Sequence, residues 1–217
     1  MIVLDRNGRC ADPRPVLEPR PRLLVLLDRD GTIVQHRRGH VLSVDDAVYL
    51  PGALDALREL ASLDVAAAIV TNQSAVARGL IGRDELLAIH RRILADAAAA
   101  GSNIFASFIC PHGPDDHCAC RKPAPAMVAT ACDTSGIPAH RTVLIGDAYS
   151  DVAAAIAAGA TPILVATGLG REARARLRDE GNIDVVVRPS LHEAVGDVRR
   201  LLAADASRSR TYAQTIA

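Results

Sequence analysis

Short apolar runs alternate with longer segments of helical spacing along most of the chain. Leu23 to Leu27 is an unbroken apolar run of buried-strand type, and it halts at Asp28-Arg29-Asp30-Gly31-Thr32. Pro51-Gly52 opens a stretch reaching Leu63 in which Leu54, Leu57 and Leu60 recur at helical spacing. Val65 to Val70 reads as a second strand running into Thr71-Asn72-Gln73-Ser74, and Arg83 to Ala100 as a long helix stopped by Gly101. A third strand, Ile104 to Ile109, leads into a loop of Cys, His, Pro and Asp, and a helix follows from Pro125 to Thr134. Thr142 to Ile145 is a fourth strand ending in Gly146-Asp147, Asp151 to Ala158 a helix, and Pro162 to Val165 a fifth strand. Val185 to Val187 reads as a short edge strand and Leu191 to Ala204 as a closing helix.

Repeated turns of strand and helix predict an α/β fold, a doubly wound parallel sheet with helices on both faces, since right-handed crossovers leave few other topologies. One domain is expected over residues 23–204. A Pro- and Arg-rich, loosely ordered arm (1–22) precedes it, and a tail (205–217) that no pattern forces into structure follows. The 25 basic and 25 acidic residues cancel, so no global field attracts nucleic acid or anionic lipid. Aromatic residues make up only 2% with no Trp, which argues against stacking platforms for single strands. No stretch of about 20 residues is apolar throughout, and residues 1–22 lack the apolar core of a signal peptide. A cytoplasmic protein without membrane or nucleic-acid partners is therefore expected, with a monomer favoured.

In open parallel sheets ligands bind beyond the carboxyl ends of the strands. Here the first four strands end in Asp28 and Asp30, in Thr71 and Asn72, in the Cys/His loop with Lys122, and in Asp147. The opposite loops offer Ala, Leu, Ser and Gly. Four polar strand ends on one edge predict a site there.

Asp28 and Asp30, two residues apart on leaving a strand, can share a cation with Asp147; all-oxygen ligation with room for water and a phosphate oxygen suits Mg2+. For a phosphate monoester, a carboxylate nucleophile divides the reaction into two steps through an acyl phosphate. Asp28 is placed for that role, Asp30 for passing a proton to the leaving alkoxide and taking one from water, and Thr71 and Lys122 for donating to phosphate oxygens. Lys122 is the only lysine among the 25 basic residues. Its retention points to a need for a compact cation that a planar guanidinium does not meet.

Asp28-Arg29-Asp30-Gly31-Thr32, Thr71-Asn72-Gln73-Ser74, Arg121-Lys122-Pro123 and Gly146-Asp147 with Asp151 resemble the four motifs of the haloacid dehalogenase (HAD) superfamily of phosphatases. The resemblance spans about Leu24 to Thr167. Adding Ala77-Arg78-Gly79 and the run from Cys110-Pro111-His112 to Cys120, it is most similar to the subfamily IIIA group of heptose 1,7-bisphosphate phosphatases and histidinol-phosphatases. That likeness implies a Rossmann-like HAD fold, Asp28 as nucleophile, Asp30 as acid/base, and Mg2+ held by Asp28, the Asp30 carbonyl and Asp147. It further implies phosphoryl stabilisation by Thr71 and Lys122, and substrate contacts from Arg121, Asn72 and Arg78. The implied substrate is a small sugar phosphate, D-glycero-D-manno-heptose 1,7-bisphosphate (losing its 7-phosphate) first and histidinol phosphate or another metabolite second. Ala75 and Ala126 stand where the group often has Gly, which puts the substrate in question rather than the chemistry.

The spacing Cys110-x-His112-x5-Cys118-x-Cys120 packs four soft or borderline ligands into one loop, a common closed shell for structural Zn2+. His117 lies inside the loop and competes with His112; the resemblance favours His112. Zinc here would tether the segment presenting Arg121 and Lys122. Only about 20 residues separate Thr32 from the next helix, so no large cap domain fits. Ile33 to Tyr49, with His36, Arg37, Arg38 and His40, is expected to form a small flap beside the site. Two readings of another class are a receiver-like phosphorylation switch and an inactive zinc-stabilised binding module. The DxDGT with a zinc loop opposes the first, and the joint retention of Asp28, Asp30, Lys122 and Asp147 opposes the second.

Overall fold

The computed structural model describes residues 1–12, 21–181 and 184–216, with side chains as far as residue 204. Seven strands, β1 (Ile2–Asp5), β2 (Leu23–Leu27), β3 (Val65–Asn72), β4 (Ile104–Cys110), β5 (Thr142–Gly146), β6 (Thr161–Val165) and β7 (Val186–Arg188), form one sheet in the order β1-β4-β3-β2-β5-β6-β7. The helices are α1 (Ala53–Ala61), α2 (Arg83–Ala99), α3 (Ala126–Ser135), α4 (Tyr149–Ala158), α5 (Gly170–Asp179) and α6 (Leu191–Ile216). From β2 onward every strand pair is parallel.

The apolar run of β2 is unbroken because helices cover both faces of the sheet. Val25 and Leu27 pack with Leu57 and Leu60 of α1, Leu86, Ile89 and Ile93 of α2, and Val195 and Val198 of α6. Leu24 and Leu26 point the other way, into a core with Met127, Val128 and Ala131 of α3 and Ala154 and Ala155 of α4. Burying two rows of Leu and Val from one strand contributes roughly 1.5–3 kcal/mol per large side chain. β2 lies between β3 and β5, so the chain winds outward from it in both directions. The carboxyl end of β2 is therefore the switch point at which such sheets open a crevice.

Three segments depart from the sequence reading. The expected N-terminal arm begins instead as β1, which pairs antiparallel with β4, Ile2 opposite Ile109 and Asp5 opposite Ala106. The otherwise parallel sheet thus has one antiparallel edge. Four residues signal a strand only through their partner, and it is the fully buried Leu4 that anchors this one. The rest of that arm, 13–20, lies outside the described residues. Helix α5 follows Thr167-Gly168-Leu169 and buries only Ala173 and Leu177 beyond its first residue, too thin an apolar stripe to read from spacing. Helix α6 continues through the expected tail, where no Gly or Pro stops it. No further helix or strand is inserted between Thr32 and α1 or between β3 and α2, so the site has no large cap.

Candidate active site

Parallel pairing brings the ends of β2, β3 and β5, and the loop after β4, to one edge of the sheet. The resulting cavity, about 200 Å³, is lined by Asp28, Asp30, Thr71, Asn72, Arg121, Lys122, Asp147 and Asp151, with His36, Arg37 and His40 from the flap. Asp28 is fixed at its backbone by an N–H donated to the Ile145 carbonyl (2.9 Å). After it the chain turns tightly, Ile33 and Val34 both donating to the Arg29 carbonyl at 2.9 Å. Gly31 sits in this turn at φ 86°, and a Cβ there would overlap the Asp147 carboxylate. Only glycine satisfies both the positive φ and the close approach.

Lys122 is buried with its Nζ 2.8 Å from Asp28 Oδ1 and 2.5 Å from Asp151 Oδ1, and it also donates to the Val70 carbonyl at 2.8 Å. Asn72 clamps the backbone of Lys122 from both sides: its Nδ2 donates to the Lys122 carbonyl (2.9 Å) and its Oδ1 accepts from the Lys122 N–H (3.0 Å). Thr71 is buried beside them, its Oγ1 accepting from Gln73 Nε2 at 2.9 Å.

Carboxylate oxygens of Asp28, Asp147 and Asp151 lie within 4.8 Å of one another. Three buried acids thus face one lysine. Burial pushes Asp28 up to about 6, against Lys122 and with help from Asp151 and Asp30. Burial, with Asp28 and Asp151, pushes Asp147 up to about 8. This excess of buried negative charge and hard oxygen donors fits a divalent cation, which would relieve the repulsion. Of the expected set, Asp28 and Asp147 are in the cluster. Asp151, quoted in the motif but given no role, joins them. The Asp30 side chain does not, because Arg29 and Gln73 engage it.

Cys110, His112, Cys118 and Cys120 form a second cluster, and His117 is not part of it. The contacts are 3.6 Å from Cys110 Sγ to His112 Nδ1 and to Cys118 Sγ, 3.3 Å from His112 Nδ1 to Cys120 Sγ, and 3.7 Å between Cys118 and Cys120 Sγ. A tetrahedral ion with bonds of about 2.0–2.3 Å sets ligand edges of about 3.3–3.8 Å, so the four atoms fit zinc. Disulfides would need sulfur atoms about 2.05 Å apart, and all the cysteines are free. Burial pushes the Cys110 thiol up to about 12. Arg121 Nη1 donates to the His112 carbonyl (3.1 Å), tying the cationic segment to this loop. Cys132, outside the cluster, is buried against Thr142.

Arg78, expected at the substrate, is exposed on the turn after β3 and does not line the cavity. Arg29, Gln73, His90 and Ser107, given no role from sequence, form a buried polar chain behind Asp30. An Arg set directly between two Asp residues at the end of an apolar strand is the one sequence signal that pointed toward it.

The HAD-hydrolase-like family profile matches residues 119–194. Among curated relatives, the D-glycero-beta-D-manno-heptose-1,7-bisphosphate 7-phosphatase of Bordetella bronchiseptica is 42% identical over 158 residues, 70% of this chain and 86% of the relative. The enzyme of the same name from Pseudomonas putida is 38% identical over 147 residues, 68% of this chain and 84% of the relative. The crystal structure of D,D-heptose 1,7-bisphosphate phosphatase from B. bronchiseptica, complexed with magnesium and phosphate, superposes with a TM-score of 0.76 at 36% identity, covering 82% of this chain and 98% of that one. The Asp28-to-Thr32 motif, Lys122, the acidic cluster and the Cys/His loop all stand on one sheet edge, and the chain belongs to the HAD-like hydrolases as a phosphatase of that family.

Proposed function

We propose that this phosphatase is Mg2+-dependent and removes the 7-phosphate of D-glycero-β-D-manno-heptose 1,7-bisphosphate through a phosphoaspartate on Asp28. The observation that carries this reading is the polarity of the cavity. Buried Asp28, Asp147 and Asp151 lie at its inner end, while exposed His36 and Arg37, half-buried His40, and Arg121 line its outer part. One phosphate would meet the nucleophile while a second, across the sugar, meets the outer cations. The names of the relatives at 42% and 38% identity support the same substrate.

Asp28 attacks phosphorus in line with the ester oxygen, and the P–O bond to the sugar breaks as the acyl phosphate forms. Asp30 gives its proton to the departing alkoxide, then takes one from the water that attacks the acyl phosphate. That second attack releases inorganic phosphate and restores the Asp28 carboxylate. Lys122 and Thr71 donate to the phosphoryl oxygens, where negative charge must be held during both steps. Asp28, Asp147, the Asp30 carbonyl and Asp151 would hold Mg2+, which would supply charge neutralisation between the nucleophile and the anionic substrate. Asn72 holds the Lys122 backbone in register, and as a residue lining the cavity it can also meet the substrate. Cys110, His112, Cys118 and Cys120 would hold a structural Zn2+, whose thiolates suit a reducing cytoplasm.

The test is phosphate release from the heptose 1,7-bisphosphate, its two monophosphates and histidinol phosphate, with Asp28→Asn as control. The bisphosphate is expected to lead in kcat/KM by about tenfold or more, and Arg37→Ala to raise its KM but not that of the 7-phosphate. Preference for histidinol phosphate would overturn the assignment.

A further inference from the structure

Arg29 has no exposed side-chain surface and sits between the nucleophile and Asp30 in sequence. Its Nε donates to Asp30 Oδ1 (3.0 Å), and its Nη2 to Asp30 Oδ2 (2.8 Å) and to Gln73 Oε1 (2.8 Å). Gln73 returns an Nε2 donor to Asp30 Oδ2 at 2.8 Å. Three donors therefore hold the Asp30 carboxylate, two on Oδ2 and one on Oδ1, leaving Oδ1 an acceptor position. The remaining arm of the guanidinium, Nη1, meets His90 Nε2 at 3.0 Å, and His90 Nδ1 meets Ser107 Oγ at 3.1 Å.

An arginine has no acceptor, so His90 Nε2 must accept, which puts the ring proton on Nδ1 and directs it to Ser107. Burial, and the Arg29 charge beside it, hold the imidazole neutral, far below its usual pKa. A buried guanidinium with a missing partner either shifts or strands a donor, at a cost that a fully paired one avoids. His90 lies on α2 and Ser107 on β4, so two rigid elements fix the far end of Arg29.

We propose that His90 is a positioning residue for the reaction: through Arg29 it holds the Asp30 carboxylate in the orientation from which the leaving alkoxide is protonated. The proposal rests on the reading of Asp30 as acid/base. A shift of about 1 Å in such a group can cost on the order of 100-fold in rate.

The test compares kcat/KM, which covers steps up to leaving-group departure, for the sugar 7-phosphate and for p-nitrophenyl phosphate. The latter expels a weakly basic phenolate that needs no proton. In His90→Asn the amide reaches the Nδ1 position and keeps Ser107 but leaves Arg29 Nη1 without its His90 partner; in His90→Gln the side chain reaches the Nε2 position and accepts from Arg29 Nη1. His90→Asn is expected to lose about tenfold or more on the sugar phosphate and less than about threefold on p-nitrophenyl phosphate, with Mg2+ affinity unchanged, and His90→Gln to recover most of the loss. Asp30→Asn, assayed alongside, must show the same discrimination more strongly. Equal losses on both substrates in His90→Asn, no loss, or failure of Gln to recover it while Asp30→Asn discriminates would overturn the role of His90 alone. An Asp30→Asn enzyme that does not discriminate would overturn the acid/base reading and this proposal with it. If His90→Asn does not fold, Ser107→Ala tests the same chain: a smaller loss of the same selectivity supports it, and unchanged selectivity overturns it.

Discussion

Lys122 Nζ stands 2.5 Å from Asp151 Oδ1 while also holding Asp28 Oδ1 at 2.8 Å, so the chain's only lysine bridges two buried acids, one just after β2 and one in the first turn of α4. Two anions raise the affinity of Lys122 for its proton, outweighing burial, and it stays charged throughout the working range. A point charge on a flexible stem can face both acids and the Val70 carbonyl at once; a planar fork cannot without moving the strand.

Replacing it by Lys122→Met should therefore lower kcat by about 100-fold or more, as when a charge-stabilising donor is lost. It should also cost roughly 3–5 kcal/mol of stability in metal-free protein, because the buried acids lose their counter-charge. Lys122→Arg should not restore activity. Steady-state kinetics and denaturant melts of the three proteins check this.

Gly31→Ala should weaken Mg2+ binding by about tenfold or more with little change in β-sheet content. The added Cβ would collide with the Asp147 carboxylate, and the residue would be held at an unfavourable positive φ. Isothermal titration with Mg2+ and circular dichroism separate the two effects.

The metal-free protein should lose stability as pH rises from about 6.5 to 8. Asp147, raised to about 8 by burial and by its acidic neighbours, keeps a proton in the folded state that the unfolded chain has already released. The contribution is fully present below the ordinary Asp range and disappears as pH passes through the raised value. His90 acts oppositely, being neutral when folded, but only below its unfolded pKa near 6.5. Mg2+ should flatten or reverse the slope by favouring the ionised acids. Thermal melts across this range, with and without Mg2+, decide the sign.

Removing metal from the Cys/His loop should lower melting temperature and phosphatase activity together. Arg121 is tied to the His112 carbonyl, and Lys122 follows directly, so loosening the loop releases both cations. Cys118→Ser should reproduce the effect without chelator. Zinc content by elemental analysis, set against activity, checks it; full activity in protein verified as zinc-free contradicts it.

Alternating strands and helices, four motif clusters and the Cys/His spacing were all legible in the residues. Asp28, Thr71 and Asp147 at strand ends, and Lys122 in the loop after β4, could be assembled from their positions, because parallel topology sends every such end to one edge. Cys and His side chains packed within eleven residues, Cys110 to Cys120, form a cluster whatever the surrounding fold does. Where pairing is local or periodic, residue order is enough.

Tertiary structure alone decided what depends on distant partners. β1 is a strand because β4 lies beside it, and Asn72 holds Lys122 across 50 positions of sequence. Arg78 stays at the surface, outside the cavity, although the family resemblance implied a substrate contact for it. His90 meets Arg29 only because α2 packs on the face of the sheet from which that guanidinium is buried. Hydrophobic periodicity records which face of an element is covered, but a buried hydrogen bond depends on two side chains meeting at 3 Å, and that distance is set by packing rather than by spacing along the chain.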